Sequence, residues 1–143
     1  FPSKSVRTKV NPLSIAAGFS TIFTCLPVCR PIPSKDISLD KVFGNIVSMT
    51  ELAKENNIKV VLCSVLPAYD YPWKKDMKPA EKVIALNKMI KDYALKNHIT
   101  YVDYHSVLKD EKNGLSKEIA EDGIHPTKLG YEKMEAILMK NLK

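Results

Sequence analysis

The feature that most constrains this chain is a run of β-branched and aliphatic residues from Ile58 to Leu66, with the sequence IKVVLCSVL. Such a run predicts a strand covered on both faces, because a strand with one face in water alternates apolar and polar residues. Pro67 follows the run and predicts the end of the strand. A strand of this kind needs a packed layer on each side, so the rest of the chain must supply two layers.

Amphipathic helices are predicted on both sides of this strand in the sequence. Ser38 can cap a helix that runs to about Asn56, and a second helix is expected from about Pro79 to Asn97. Their apolar positions step by three or four residues, which gives each helix one buried stripe. The first stripe comprises Leu39, Val42, Ile46, Met49 and Ala53, and the second comprises Val83, Leu86, Ile90 and Tyr93.

A second short strand is predicted from Ile99 to Tyr104, and a last helix from about Thr127 to Leu142. Strands that alternate with helices of this length predict a parallel sheet with right-handed crossovers. We therefore expect an α/β fold of three layers, an α/β/α sandwich with a parallel sheet. In such sheets the chemistry gathers beyond the carboxyl ends of the strands, so the loops after Leu66 and Tyr104 are candidate sites.

The first part of the chain differs from the rest. Three basic residues precede an uncharged run from Leu13 to Cys29, a pattern that resembles a secretory signal or a membrane span. Pro27 interrupts this run, and we expect no stable membrane span. We divide the chain into residues 1–36, an atypical lead-in, and residues 37–143, an α/β domain. The lead-in is interpreted as a targeting remnant, a rearranged segment such as a frameshift leaves, or a substitute strand within Thr21–Val28.

Charge and cysteine content narrow the range of functions. The chain carries 22 Lys and Arg against 16 Asp and Glu, but the lysines alternate with acidic residues in the second half of the chain. Without a concentrated basic surface we expect no nucleic-acid partner. Cys25, Cys29 and Cys63 cannot all pair, and no further Cys or His pair completes a zinc site. We therefore expect neither a disulfide framework nor a metal.

The residues that suggest a reaction lie in the loop before the last helix. Asp122 precedes His125 by three residues, and Pro126 restricts the backbone of His125 away from helix. A buried carboxylate that accepts the Nδ1 proton would leave Nε2 free to take a proton from a serine hydroxyl. The alternative is a helix-cap region in which Asp122 only satisfies backbone N–H groups and His125 is a surface residue.

This loop also carries a family resemblance. The block Asp122–Thr127 (DGIHPT), followed by Gly130 and Tyr131, resembles the last conserved block of the SGNH, or GDSL-type, serine esterases. The chain from about Ile37 onward, which is about three-quarters of its length, is similar to small bacterial acylhydrolases of that family. The similar segments there include Val60–Pro67 and Tyr101–Tyr104.

The resemblance implies a flavodoxin-like three-layer fold, no metal or organic cofactor, and hydrolysis of carboxylic esters by a serine, histidine and aspartate. By position, His125 would be the base and Asp122 its partner. The implied substrate is a small acyl ester, and acetylated carbohydrates are a usual class for relatives. Both the bacterial cytoplasm and a secreted or periplasmic location are compatible with the sequence.

Other blocks of the family are not visible in the chain. The family nucleophile belongs to a Gly-Asp-Ser block, and its oxyanion hole uses a Gly-x-Asn-Asp block. The segment most similar to the Gly-Asp-Ser block is Gly18–Thr21, which contains Ser20 but lacks the Asp. A loop or strand hydroxyl is therefore a simpler interpretation of Ser20 than a nucleophile. The N-terminal strands of the family fold are therefore incomplete, and we expect Thr21–Val28 or a homo-oligomer to cover the open sheet edge.

The remaining candidate functional side chains lie in or after the two predicted strands. Tyr69, Tyr71 and Trp73 suit the gripping of an acyl chain or sugar ring, and their alternative role is to pin a long loop onto the body. Asp103 lies two positions before His105 at the end of the second strand, and we do not expect these two residues to act as a pair. We assign no catalysis to Ser64 or Ser106, because neither lies in a sharp glycine turn.

Three functions remain open from the sequence. The first is an active serine esterase or acylhydrolase, and the second is a catalytically dead fragment or pseudoenzyme of the same family. The third is a carbohydrate- or lipid-binding module that uses Tyr69, Tyr71 and Trp73.

Overall fold

The computed structural model describes residues 21–24, 38–71 and 78–142. Its strands and helices alternate along the chain, with one additional short helix after the last strand. In order they are β1 (Thr21–Thr24), α1 (Leu39–Glu55), β2 (Lys59–Cys63), α2 (Ala80–Lys96), β3 (Thr100–Val102), α3 (Tyr104–Leu108) and α4 (Lys128–Asn141). Among the described helices, none is long and apolar enough to cross a bilayer.

The described strands form one parallel sheet in the order β1-β2-β3. Thr21 pairs with Lys59 at one edge of β2, and Thr100 pairs with Val61 at the other. β1 lies within Thr21–Val28, where a strand was expected, and the three interpretations of the lead-in stay predictions. The division at residue 36 and the homo-oligomeric cover of the edge stay predictions, and the rest of the lead-in lies outside the described residues.

β2 is buried on both faces, as its composition predicts. Its first residue, Lys59, is exposed and the other four are buried. Val60 and Leu62 pack with α1 and α2, whereas Val61 and Cys63 pack on the opposite face with α3 and α4. The first core contains Ile46, Ala53, Val60, Leu62, Val65, Val83, Leu86, Ile90 and Ala94. The second contains Val61, Cys63, Leu66, Val102, Tyr104, Leu108, Leu115, Ile119, Ala120 and Met134. The chain therefore has three layers with the sheet in the middle.

The buried stripe of α1 differs in one position from the sequence expectation. Ser38 caps the helix as predicted, because its Oγ accepts the Lys41 N–H at 3.3 Å. Met49, expected in the stripe, is 44% exposed, and Thr50 is buried instead. The Thr50 hydroxyl donates to the Ile46 carbonyl at 2.8 Å, so this polar group enters the core without an unpaired atom.

α1 and α2 end in the same kind of turn. Asn57 and His98 follow the two caps with left-handed φ values of 56° and 55°. The N–H groups of Ile58 and Ile99 each donate at 2.9 Å to the carbonyl five residues earlier. The left-handed residues donate to the carbonyls three residues earlier, which completes a Schellman motif in both places. This turn reverses the chain so that a strand begins immediately after each helix.

The second strand is shorter than the sequence predicts. Ile99–Tyr104 was expected to be extended, but β3 ends at Val102 and Tyr104 begins α3. Asp103 ends the strand because its carboxylate caps α3. One oxygen accepts the Ser106 N–H at 2.9 Å, and the other accepts the Ser106 hydroxyl at 2.8 Å. An Asp followed three residues later by a Ser was the available signal for this turn.

Candidate active site

Backbone hydrogen bonds join the two ends of the loop that precedes α4 and carries Asp122 and His125. The Thr127 N–H donates to the Ile119 carbonyl at 2.8 Å, and the Gly123 N–H donates to the Ala120 carbonyl at 2.9 Å. Between these bonds the side chain of Ile124 turns inward and is buried. Because Ile124 anchors the loop, the residues near it are held at a defined place on the surface.

The two carboxylate oxygens of Asp122 have different partners, one in the backbone and one in the imidazole ring. Its Oδ1 accepts the N–H groups of Ile124 at 2.9 Å and of His125 at 2.7 Å. Its Oδ2 lies 2.5 Å from Nδ1 of His125. Asp122 therefore both accepts backbone N–H groups of the loop and contacts the imidazole, one with each oxygen, and its catalytic role stays a prediction.

This contact determines the roles of the ring atoms. A carboxylate accepts only, so Nδ1 carries the proton and Nε2 of the neutral ring is an acceptor. The side-chain hydrogen bond from His125, followed by its backbone N–H, lowers the pKa of Asp122 to about 2. Asp122 is consequently ionised at neutral pH and can compensate the positive charge of a protonated ring.

The pair is more open to solvent than the sequence led us to expect. The exposed fraction is 52% for the His125 side chain and 42% for the Asp122 side chain. The expectation of a buried carboxylate is therefore wrong for the described residues. Water around a pair of this exposure screens its interaction, so the hydrogen-bond geometry matters more here than the Coulomb attraction.

Gly130 allows α4 to approach this loop. A Cβ atom at residue 130 would lie 2.6 Å from the Ile119 carbonyl oxygen and 2.9 Å from Cβ of Pro126. The Gly130 N–H also donates to the Thr127 side chain, which caps α4. The sequence placed Gly130 within the conserved block, but its role in this close contact is visible only in the structure.

The aromatic segment lies against the same loop. Tyr71 is fully buried with Ala68 and Ile124, which corresponds to the alternative role of holding the loop. Tyr69 is half-exposed. Trp73 lies outside the described residues.

A cavity of about 370 Å³ joins these two regions. Tyr69 and Tyr71 line one part of it, and Asp122 and Gly123 line another. Charged side chains complete much of the wall, and among them are Asp70, Asp110, Lys112, Lys117 and Glu121. The cavity thus brings the predicted aromatic residues next to the predicted acid, in surroundings suited to a polar ligand.

Other candidate side chains are engaged elsewhere. Ser64 is buried, and its Oγ accepts the His105 N–H at 2.8 Å. Ser106 donates its hydroxyl to Asp103. Ser20 lies outside the described residues. Within the residues that the structure describes, no group of three His, Cys, Asp or Glu could hold a metal ion.

Comparison with known proteins identifies the family. The model of the GDSL-like lipase/acylhydrolase family matches residues 15–133, and the chain therefore belongs to this family. The match begins inside the atypical lead-in. Among curated proteins, no sequence matches the chain.

Solved structures agree with this assignment and confirm the α/β fold class. A GDSL-like lipase from Bacteroides thetaiotaomicron is 44% identical with a TM-score of 0.70, over 73% of this chain and 52% of the other. A candidate acylhydrolase from Bacteroides fragilis is 43% identical with a TM-score of 0.69, over 72% of this chain and 50% of the other.

A third structure, a candidate lipolytic protein of the G-D-S-L family from Desulfitobacterium hafniense, has a TM-score of 0.63 at 21% identity. It covers 90% of this chain and 67% of the other, and it supports the fold alone. The chain spans about half the length of the two Bacteroides proteins.

Proposed function

We propose that this chain carries the general base and the orienting carboxylate of a GDSL-type carboxylic ester hydrolase. The observation that supports this most directly is the 2.5 Å contact between Nδ1 of His125 and Oδ2 of Asp122. It orients the ring and gives Nε2 the lone pair that a base needs. Membership in the family gives the reaction class.

In the proposed reaction, Nε2 of His125 takes the proton of a serine hydroxyl while the serine oxygen attacks the ester carbonyl. The protonated ring then returns this proton to the leaving alcohol. A water molecule repeats the sequence on the acyl-serine and releases the acid. Asp122 keeps Nδ1 protonated and its charge compensates the imidazolium in both steps. We assign the nucleophile to no particular serine, because the Gly-Asp-Ser block of the family is not visible in this chain.

The proposed substrate is a small acyl ester, with an acetylated carbohydrate as the preferred class. The half-exposed ring of Tyr69 can stack on a sugar ring, and the charged wall of the 370 Å³ cavity can hydrogen-bond sugar hydroxyls. Asp122 belongs to the same wall and contacts His125, so we propose that the sugar binds next to the residue pair. We include Tyr71 and Trp73 in this proposed substrate site, with Tyr71 as a support.

The test is hydrolysis of 4-nitrophenyl acetate by the wild-type chain and by His125→Ala. We expect the variant to lose about 10³-fold or more in kcat, as removal of a base from such a triad does. His98→Asn is the matched control, because His98 is exposed and Asn tolerates its left-handed backbone. Hydrolysis that persists in His125→Ala would contradict the proposal, as would a wild-type rate equal to that of buffer.

A non-catalytic role is the second candidate. It is favoured by the missing Gly-Asp-Ser block together with the preformed cavity beside Tyr69. This role predicts saturable binding of an acetylated sugar that His125→Ala leaves unchanged, with no hydrolysis by the wild type. Calorimetric titration of both proteins distinguishes it from the esterase.

A further inference from the structure

A second cavity, of about 260 Å³, lies between α2, β3 and α3. It shares no lining residue with the cavity beside Asp122. Three lysines line it, namely Lys88 and Lys91 from α2 and Lys109 from the end of α3. Among the described residues, none of these three forms a salt bridge. Within the described residues, the wall therefore carries three lysines against one carboxylate, that of Asp103.

Nearly every other polar group of the wall is already paired. The Asn87 amide accepts the Val65 N–H at 2.7 Å and donates to the Val65 carbonyl at 2.9 Å. Asp103 is the one carboxylate in the wall, and both of its oxygens accept from Ser106. Asp103 forms no ion pair with the three lysines among the described residues, although its negative charge offsets part of theirs.

His105 is the exception. The residue lines the cavity and is 7% exposed, and its Nε2 is buried without a hydrogen-bond partner among the described residues. A buried polar atom that stays unpaired costs stability, and such atoms in folded proteins commonly mark a missing ligand or water. His105 belongs to the same wall as the three lysines, and its Nε2 is not exposed to solvent and has no hydrogen-bond partner among the described residues.

We propose that this cavity binds a small multivalent anion of the phosphate class, held by Lys88, Lys91 and Lys109 and by a hydrogen bond from Nε2–H of His105. Ammonium groups bind phosphate oxygens as point charges, and three of them from two elements match a dianion better than a single-charged ion. A neutral ring protonated at Nε2 supplies the donor. The 260 Å³ volume accommodates a phosphate group together with a small substituent.

The proposed anion would also change the titration of the ring. Burial lowers the pKa of His105, an effect that Asp103 opposes and Lys109 reinforces. Lys88, Lys91 and Tyr101 are the other titratable groups of the wall. An anion bound beside Nε2 favours the protonated ring, so its binding should raise the pKa of His105.

The experiment is a titration of the whole chain with inorganic phosphate, followed by the imidazole ¹⁵N resonances at constant ionic strength. We expect a saturable shift of the His105 resonance and a rise of its pKa, with His98 unchanged. Replacing phosphate by chloride at the same ionic strength should give no saturable shift. A His105 resonance that ignores phosphate, or that responds equally to chloride, would overturn the proposal.

A pair of double variants tests the site itself. Lys88→Ala with Lys91→Ala removes two of the proposed ligands, and we expect the phosphate affinity to fall about tenfold or more. Lys82→Ala with Lys96→Ala changes the charge of the same helix equally but outside the cavity, so the affinity should be retained. Equal losses in both double variants would mean general attraction to a basic protein and would refute a defined site.

Discussion

His125 and His105 follow an aspartate at similar distances, yet their environments are opposite. His125 is half-exposed and has a carboxylate on Nδ1, whereas His105 is buried with an unpaired Nε2. The difference lies in what each aspartate does locally. One oxygen of Asp122 accepts backbone N–H groups of the loop and the other contacts the ring. Both oxygens of Asp103 accept hydrogen bonds from Ser106. In these two places an Asp–His contact forms only where local backbone and side-chain donors leave a carboxylate oxygen for the ring.

The largest expected effect comes from removing the charge of the paired aspartate. Asp122→Asn should lower kcat for 4-nitrophenyl acetate by between about 10²- and 10⁴-fold, because an amide can donate to Nδ1 and favour the wrong tautomer. Asp92→Asn is the matched control, since Asp92 is exposed on α2 and lines neither cavity. If Asp92→Asn loses as much activity as Asp122→Asn, the orienting role of Asp122 is wrong.

A change that displaces the Asp122–His125 loop should affect His125 but not His105. Gly130→Ala places a Cβ 2.6 Å from the Ile119 carbonyl oxygen, so the backbone must shift and we expect a loss of about 1–3 kcal/mol in unfolding free energy. The variant should also lose hydrolytic activity while the His105 resonance stays unchanged. Urea denaturation and imidazole spectra measure the two effects.

Gly44→Ala is the matched control for this change. Gly44 lies within α1, and a Cβ there meets nothing within 4 Å. Alanine should therefore stabilise the helix by about 0.5–1 kcal/mol. Destabilisation by both variants would show that the close contact at Gly130 is not the cause.

A smaller effect is expected from the other aspartate. Asp103→Ala removes the cap of α3 and should lower the unfolding free energy by about 1 kcal/mol, without an effect on ester hydrolysis. Asp92→Ala, an exposed position within α2, serves as the control and should change stability by less than about 0.5 kcal/mol. Loss of hydrolysis in Asp103→Ala would mean that the two histidine sites are coupled.

The smallest effect is the pH dependence of the Asp122 contact. The folded pKa of about 2 lies below the ordinary value of 3.8, so the contact stabilises the fold above about pH 4. This contribution is lost as the pH falls towards 2, and solvent exposure of the pair keeps it small. The stability difference between the wild type and Asp122→Asn should therefore shrink in acid. A difference that grows below pH 4 would have the wrong sign.

Much of the fold could be predicted because its signals are local. The composition of β2 predicted a two-faced strand, the cap at Ser38 predicted the start of α1, and α4 begins close to Thr127 as expected. α3 was missed because Asp103 could equally continue a strand, and only its bonds to Ser106 turn the chain.

The candidate site was predictable only in part. The spacing of Asp122 and His125 indicated their contact, since it depends on a single turn. The exposure of the pair and the burial of Tyr71 depend on which segments pack together, and spacing does not encode that. The sequence did not predict an Asp103–His105 pair, and the structure shows Asp103 bonded to Ser106 instead.

The matching turns after α1 and α2 mean that the same three-residue connection joins a helix to a strand in two places. Asn56–Ile58 and Asn97–Ile99 share their cap residue, their left-handed centre and the isoleucine that enters the sheet. Because the two connections have the same conformation, exchanging either tripeptide for the other should leave the fold intact. Adding one residue to either connection would instead turn the following strand over and exchange its two packed faces.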